Sequence, residues 1–158
     1  MAPSAAPEVP EPDAFRVWLR FLRLDQRLRL LMGRCLREVG LSIPQFDVLS
    51  ALSEASGITQ RELAQQLFVT KGNVSGLIDR LVEAKLVERR GGQDRRSHAL
   101  FLTGEGERVA SAGFAMQKAF VDTTLGRLPR QDLAMLHRLL GQWREAVRGI
   151  EGQDRPRP

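Results

Sequence analysis

The sequence predicts a mainly α-helical protein that carries one small β-hairpin, an α+β arrangement. Apolar residues recur every three or four positions over six stretches, which is the pattern of amphipathic helices. Two neighbouring stretches in the middle of the chain follow threonines that can cap a helix, Thr59 and Thr70. Between Leu86 and Leu102, two short apolar-rich segments flank a polar loop led by glycine, which indicates a hairpin. The predicted order is four helices, two strands and two helices.

The size and composition of the chain indicate a globular protein that stays in the cytoplasm. Its 158 residues suffice for one good core, or for two small lobes that share one. No apolar run approaches the roughly 18 residues of a membrane span, and the N-terminus lacks the basic and apolar regions of a signal peptide. The single cysteine excludes an internal disulfide and fits a reducing compartment.

The formal net charge of +5 arises mostly from arginine. Of 24 basic residues, only Lys71, Lys85 and Lys118 are lysines. The planar guanidinium group keeps its charge and matches phosphates and guanine edges, so a nucleic acid partner is one interpretation. Genome base composition can explain the same bias, and charge alone does not decide between the two.

The first part of the chain is predicted to hold a proline-rich tail and two helices. Residues 1–13 contain four prolines and little apolar content, which is typical of a disordered segment. A long helix follows over residues 14–39, and its arginine stripe is either a solvated face or a functional one. Gly40 ends this helix and Ser42 begins the next. We expect the long helix to brace two lobes or to cross a dimer interface.

The stretch from Thr59 to Thr103 has the most informative pattern. Thr59 and Glu62 have capping-box spacing at the start of a short helix. A second helix begins at Thr70, and its apolar side is formed by Val74, Leu77, Ile78, Leu81 and Val82. Its other side is polar or cationic and includes Lys71, Asn73, Ser75 and Arg80. These two faces suit a helix that packs on a core and enters a DNA groove.

The hairpin after this helix has a basic tip. Arg95 and Arg96 have the charge and the reach to enter a narrow minor groove, where negative potential is concentrated. A carboxylate that faces phosphates would be repelled, so we expect Asp94 to pair with a neighbouring arginine and to fix the loop.

Two further helices complete the predicted order. Thr103 can cap a helix from Gly104 to about Leu125, and the chain restarts at Pro129. The last helix carries an apolar stripe and is predicted to end near Arg148. Residues 150–158 are predicted to form a flexible tail.

Residues 40–106 resemble the winged helix-turn-helix core of MarR-type transcriptional regulators. Two motifs carry most of the resemblance: the run VTKGNVSGLIDRL over residues 69–81, and Asp94-Arg95-Arg96-Ser97 followed by Leu102-Thr103 and Gly106. Further matches in the preceding helices are Gln45, Val48, Leu49, Thr59, Leu63, Ala64 and Leu67. The flanking helices are similar to those of the family only in length and position.

The resemblance implies a homodimeric, ligand-responsive repressor that binds an inverted-repeat operator in double-stranded DNA. It places residues 40–103 in a DNA-binding domain, and residues 14–39 and 104–149 in a helical dimerisation region. The recognition helix then lies in the major groove and the wing in the minor groove. The residues implied to contact DNA are Thr59, Gln60, Thr70, Lys71, Gly72, Asn73, Ser75, Gly76, Arg80, Asp94, Arg95 and Arg96.

Two residue types within this set have a physical rationale of their own. The amide of Asn73 suits the two hydrogen bonds that read adenine. Gly72 and Gly76 each lower helix stability by up to about 1 kcal/mol relative to alanine. Close approach to a DNA backbone, or helix packing, would explain that cost.

The signal that such a regulator senses is less constrained by the sequence. Members of the family bind small, often aromatic or anionic molecules between their two lobes. Arg16, Trp18, Arg20 and Phe46 are the candidates for such a site, and ordinary core or solvated positions are the alternative. Cys35 lies on the apolar seam of the first helix, which is typical of an inert thiol, and a redox-sensing role is the alternative.

No motif indicates an enzyme or a cofactor. The sequence has no nucleophile elbow, no phosphate loop and no paired histidine and carboxylate cluster, so no catalytic residue is predicted. His98 and His137 lack companions at metal-ligand spacing, so no metal site is predicted either. A winged domain that binds protein instead of DNA is the remaining alternative, and the basic wing and Asn73 argue against it.

Overall fold

The computed structural model describes residues 13–91 and 98–153, and it confirms the predicted fold class. The elements are α1 (Ala14–Glu38), α2 (Ile43–Glu54), α3 (Gln60–Gln66), α4 (Lys71–Glu83), β1 (Val87–Gly91), β2 (His98–Leu102), α5 (Gly104–Thr123) and α6 (Arg130–Gln153). A 3-10 turn, Leu125–Arg127, lies between the last two helices. Within the described ranges, no helix is both long and apolar enough to cross a membrane.

Side-chain caps explain where two of the helices begin. Ser42 and Gln45 form a capping box at α2, in which the backbone N–H of Gln45 donates to the Ser42 hydroxyl at 3.4 Å. The Thr70 hydroxyl accepts from the backbone N–H of Asn73, also at 3.4 Å. Each cap satisfies a backbone donor that the first helical turn leaves unpaired. The predicted starts of both helices are therefore confirmed.

Two predicted boundaries are wrong. The sequence assigns Asp13 to the N-terminal tail, but its carboxylate caps α1 by accepting from the backbone N–H of Arg16 at 2.7 Å. The last helix runs to Gln153, so residues 150–153 are helical and do not belong to a tail. Gly149 does not end this helix because glycine lowers helix stability by only about 1 kcal/mol. Residues 1–12 and 154–158 lie outside the described residues.

A third extended segment holds the hairpin beside the start of α3. β1 and β2 pair with each other in antiparallel register. Leu100 also accepts from the N–H of Gly57 and donates to the carbonyl of Ile58, both at 2.9 Å. An isolated bridge joins Thr59 to Ala99. The sequence indicates only a chain break here, because so short a pairing needs no alternating pattern.

The core belongs to the first of two compact units, residues 1–117 and 118–158. Its fully buried larger side chains come from α1 to α4, from the connection between α1 and α2, and from both strands. They are Leu36, Leu41, Val48, Leu49, Leu52, Leu63, Val74, Ile78, Leu81, Val87 and Leu100. Because α4 contributes three of them, one face of this helix is fixed by burial, and its opposite face is left to solvent.

The first turn of α5 packs on the junction between α4 and β1. The Leu86 carbonyl accepts from the N–H of Thr103 at 3.1 Å, and the Thr103 hydroxyl donates to the Lys85 carbonyl at 2.6 Å. The same hydroxyl accepts from the N–H of Gly106 at 3.0 Å, so the predicted cap at Thr103 is confirmed. A Cβ atom on Gly106 would overlap the Leu86 carbonyl oxygen. Only glycine fits at this point.

The second unit, taken by itself, has no buried side chain among residues 118–150. Most of its large apolar side chains are exposed instead. They are Val121, Leu125, Leu128, Leu133, Met135, Leu139, Leu140, Val147 and Ile150. A single surface leucine would need no explanation, but an apolar surface of this extent indicates an interaction site.

Gly106→Ala is expected to lower the free energy of unfolding by roughly 1–3 kcal/mol, because the added methyl displaces the Leu86 carbonyl. Gly104→Ala is the matched control: it lies in the same helical turn, and its methyl would meet no described atom within 4 Å. Urea unfolding followed by circular dichroism compares the two. Equal unfolding midpoints would show that the packing constraint does not exist.

Candidate nucleic-acid interface

The first motif helix, α3, begins with a complete capping box. The N–H of Glu62 donates to the Thr59 hydroxyl at 3.3 Å, and the N–H of Thr59 donates to the Glu62 carboxylate at 2.7 Å. This backbone hydrogen bond, followed by one from the Thr59 hydroxyl, holds the pKa of Glu62 below its ordinary value. The predicted capping box is confirmed. Beside it, the side-chain nitrogen of Gln60 is enclosed and has no hydrogen-bond partner among the described residues.

The second motif helix, α4, has the two faces that the sequence predicts. Val74, Ile78 and Leu81 are fully buried on one side. On the other side, the exposed residues are Gly72, Asn73, Gly76 and Arg80, whereas Ser75 is half-buried. The side chain of Lys71 lies outside the described part of the structure. The core therefore presents a short polar surface that begins at the N-terminal end of this helix.

Two glycines leave part of the exposed surface of α4 without projecting side chains. A Cβ atom on Gly72 or Gly76 would meet no described atom within 4 Å. Packing against another part of the described chain is therefore not the reason for either glycine. The N-terminal end of a helix attracts phosphate groups, since its backbone N–H groups point outward. Close approach of a nucleic acid backbone is the explanation that this geometry favours.

An ion pair ties the hairpin to α4. Arg89 of β1 donates to the carboxylate of Asp79 on α4. Both side chains are partly exposed, so the pair contributes at most about 1 kcal/mol to stability. Its main effect is to fix the orientation of the strand relative to the helix. The two residues are ten positions apart in the sequence, a spacing that no helix or strand period indicates, so sequence reasoning missed the pair.

The strand β1 also carries an exposed arginine toward the tip of the hairpin. The Arg90 guanidinium lies 4.3 Å from the centroid of the Phe101 ring, a cation–π contact. The Nε atom of Arg90 donates to the Glu88 carboxylate at 2.9 Å. These contacts hold the arginine along the strand. The predicted contacts at the tip, residues 94–96, lie outside the described residues.

A cleft of about 660 Å³ lies between α1, α2 and the exposed side of α4. Its lining residues are Arg29, Ile43, Pro44, Asp47, Leu67, Val69, Gly72, Asn73, Val74, Gly76, Leu77 and Arg80. Burial raises the pKa of Asp47 above its ordinary value, and the charge of Arg29 acts in the opposite direction. The cleft thus combines apolar walls with two cations and one carboxylate.

The four residues predicted to bind an effector do not line this cleft. Phe46 is buried in the core, where its ring packs edge-on against that of Phe114 with 5.3 Å between centroids. Arg16 and Arg20 are exposed on α1. The ring of Trp18, on the same helix, lies near another aromatic ring of α1. Sequence reasoning missed the cleft because its walls come from three separate helices.

Comparisons with known proteins identify the family of the chain. Residues 39–97 match the sequence model of the MarR family. An uncharacterized HTH-type transcriptional regulator of Bacillus cereus is 30% identical over 128 residues, which cover 78% of this chain and 84% of that protein. The crystal structure of a MarR family transcription regulator has a TM-score of 0.81 at 21% identity, and the match covers 87% of this chain and 92% of the other.

A further solved structure shows a related protein on DNA. It is the transcriptional repressor CouR bound to a 23-mer DNA duplex, with a TM-score of 0.71 and 27% identity. The match covers 78% of this chain and 88% of that one. The chain therefore belongs to the MarR family: it is a DNA-binding transcription regulator, and the family is not one of enzymes.

Proposed function

We propose that the chain works as a homodimer that represses transcription by binding an inverted-repeat operator. One observation carries the proposal: α4 is fixed by a buried face, and its exposed face presents Asn73 between two glycines that no described atom covers. A polar helix face with few projecting side chains can enter the major groove, where an asparagine amide reads adenine through two hydrogen bonds. Lys71 and Arg80 act as phosphate contacts that position the helix.

The hairpin is the proposed second contact with DNA. The Asp79–Arg89 ion pair supports this role, because it sets the direction in which β1 leaves α4. In the proposal, Arg95 and Arg96 enter the minor groove and Asp94 orients them. Four further residues complete the proposed interface, three at the starts of the two motif helices and one in the second turn of α4. They are Thr59, Gln60, Thr70 and Ser75.

A second copy of the chain is the proposed partner of the exposed apolar helix faces. On α1, Phe15, Leu24 and Leu30 are 67%, 53% and 57% exposed. The helices of the second unit expose an apolar stripe of their own. In a two-fold symmetric dimer, the two copies of α4 lie about one turn of DNA apart, roughly 10–10.5 base pairs, which is why the operator is expected to be an inverted repeat.

The cleft beside α4 is the proposed site of control by a small molecule. Its apolar walls suit an aromatic effector, and Arg80 is the proposed partner of an anionic group on it, because Arg29 already pairs with Asp25 at 3.0 Å. Asn73 and Gly76 line the cleft and also belong to the exposed face of α4, so an occupant acts directly on the proposed recognition helix. The effector shifts DNA binding only by its difference in affinity for the free and bound states.

Operator recognition is tested on a duplex that the full-length protein selects from a random pool. Asn73→Ala is expected to lose discrimination at one base position, by roughly 1–3 kcal/mol, because the paired hydrogen bonds to adenine are absent. Arg96→Ala is expected to weaken binding to all duplexes alike and to lower the slope of log affinity against log salt by about 1. Fluorescence anisotropy over a salt series measures both effects.

The matched control for these variants is Arg144→Ala, which removes an exposed arginine that pairs with Glu145 on α6. It should leave operator affinity within about twofold of wild type, because it changes no residue of the proposed interface. Selection of no sequence, or an affinity that does not change with salt, would refute DNA recognition by these residues and favour a winged domain that binds protein.

Gly76→Ala separates the stability of α4 from the approach of DNA. The alanine should raise the free energy of unfolding by up to about 1 kcal/mol, since it favours the helix and meets no described atom within 4 Å. The same methyl should weaken operator binding by roughly tenfold, because it holds the backbone away. Gly149→Ala adds a methyl in similarly open space on α6 and should leave affinity unchanged. Higher stability with unchanged affinity for Gly76→Ala would contradict close approach.

The dimer is tested by sedimentation equilibrium, where wild type is expected at twice the chain mass of 17.7 kDa. Leu140→Glu should shift the protein toward the monomer, because it places a carboxylate on the exposed apolar stripe of α6. Gln142→Glu is the matched control, since it adds the same group about 200° around the helix. A monomeric wild type, or equal dissociation of the two variants, would exclude this interface.

A further inference from the structure

The turn between α3 and α4 places a phenylalanine in a backbone conformation that favours glycine. Phe68 has a φ of 54°, in the left-handed region. Its N–H donates to the carbonyl of Gln65 at 3.2 Å, and the N–H of Val69 donates to the carbonyl of Ala64 at 3.0 Å. These two bonds form the Schellman arrangement that ends many helices, in which the left-handed residue is usually glycine.

Neither the backbone nor the core explains why this residue is phenylalanine. Gly40 takes the matching position after α1, with a φ of 76°. A side chain in this conformation has a steric cost that glycine avoids. Phe68 as a residue is 91% exposed, so burial does not offset the cost within the described chain.

Strain alone does not mark a binding residue in this protein. Lys85 follows α4 with a φ of 58°, and its charged side chain belongs in water. Phe68 differs in two respects: its ring is apolar, and it lies two residues before Thr70, which caps α4. Two residues span at most about 7 Å, so Phe68 lies beside the N-terminal end of the exposed face of α4.

We propose that Phe68 is a specificity residue whose ring packs against the C5-methyl group of a thymine at the edge of each half-site. This inference rests on the proposed insertion of α4 into the major groove, and it extends the contact surface onto the preceding turn. The thymine methyl is the apolar group of the major groove. Phosphates and the other base edges offer charge and hydrogen bonds, which a phenyl ring cannot match.

Single thymine-to-deoxyuridine replacements in the selected operator test the contact, because each removes one methyl and keeps the base pair. Wild type is expected to lose roughly fourfold in affinity at one thymine of each half-site, the effect of exposing one methyl. Phe68→Gly should bind the unmodified operator roughly fourfold more weakly and should be insensitive at that thymine. Phe68→Leu keeps an apolar side chain and should retain part of the sensitivity.

Thermal unfolding is measured on the same variants, because it separates contact with DNA from a structural role. Phe68→Gly relieves the left-handed strain, so it should unfold at or above the wild-type temperature while binding more weakly. Lys85→Gly is the matched control for strain at the other end of α4. It should show the wild-type pattern of sensitivity to deoxyuridine.

The possible failures are distinguishable. A wild-type protein that selects no operator overturns the proposed function, and this inference with it. Selective wild-type binding, combined with equal deoxyuridine profiles for wild type and Phe68→Gly, overturns the inference alone. An unfolding temperature of Phe68→Gly well below that of wild type would show that the ring serves the turn itself, and the Phe68→Leu profile then decides whether thymine is contacted.

Discussion

The structure depends on one backbone contact, at the carbonyl of Leu86. This oxygen accepts from Thr103 and lies against Gly106, so the end of α4, the start of β1 and the first turn of α5 meet there. The hairpin begins and ends at this junction, and its direction relative to α4 is set at that point. Backbone atoms have no rotamers, so the contact holds the distance between helix and hairpin more firmly than side chains alone. The Asp79–Arg89 ion pair then repeats the constraint further along β1.

The secondary structure could be predicted from the sequence because its signals are local. The caps at Ser42, Thr59 and Thr70 depend on residues three positions apart. The features that escaped prediction join distant residues. Examples are the contacts of Asp79 with Arg89 and of Gly57 with Leu100. The fold brings these residues together, and no repeating pattern in the sequence indicates that they are in contact. The capping role of Asp13 was missed for another reason: the residue follows a proline-rich segment, which is typical of a disordered tail.

The candidate site likewise has features that the sequence predicts and features that it does not. The exposed face of α4 follows from helical periodicity, and so Asn73 and Gly76 could be named in advance. The cleft beside this face could not be, because Arg29 and Asp47 reach it from two other helices. In the sequence, Phe68 lies between two predicted helices, whereas its left-handed φ and its exposure are properties of the turn in three dimensions. Phe46 shows the converse, since an aromatic residue near the expected effector site belongs to the core.

The exposed ion pair between Asp79 and Arg89 has a consequence for counting phosphate contacts. Dissolved ions screen this pair as they screen the attraction between protein and DNA. As ionic strength rises, the strand is held less firmly in the free protein, and more ordering is left to occur on binding. The slope of log affinity against log salt therefore includes a contribution from this ion pair within the protein. A number of neutralised phosphates taken from that steepness alone would therefore be too large.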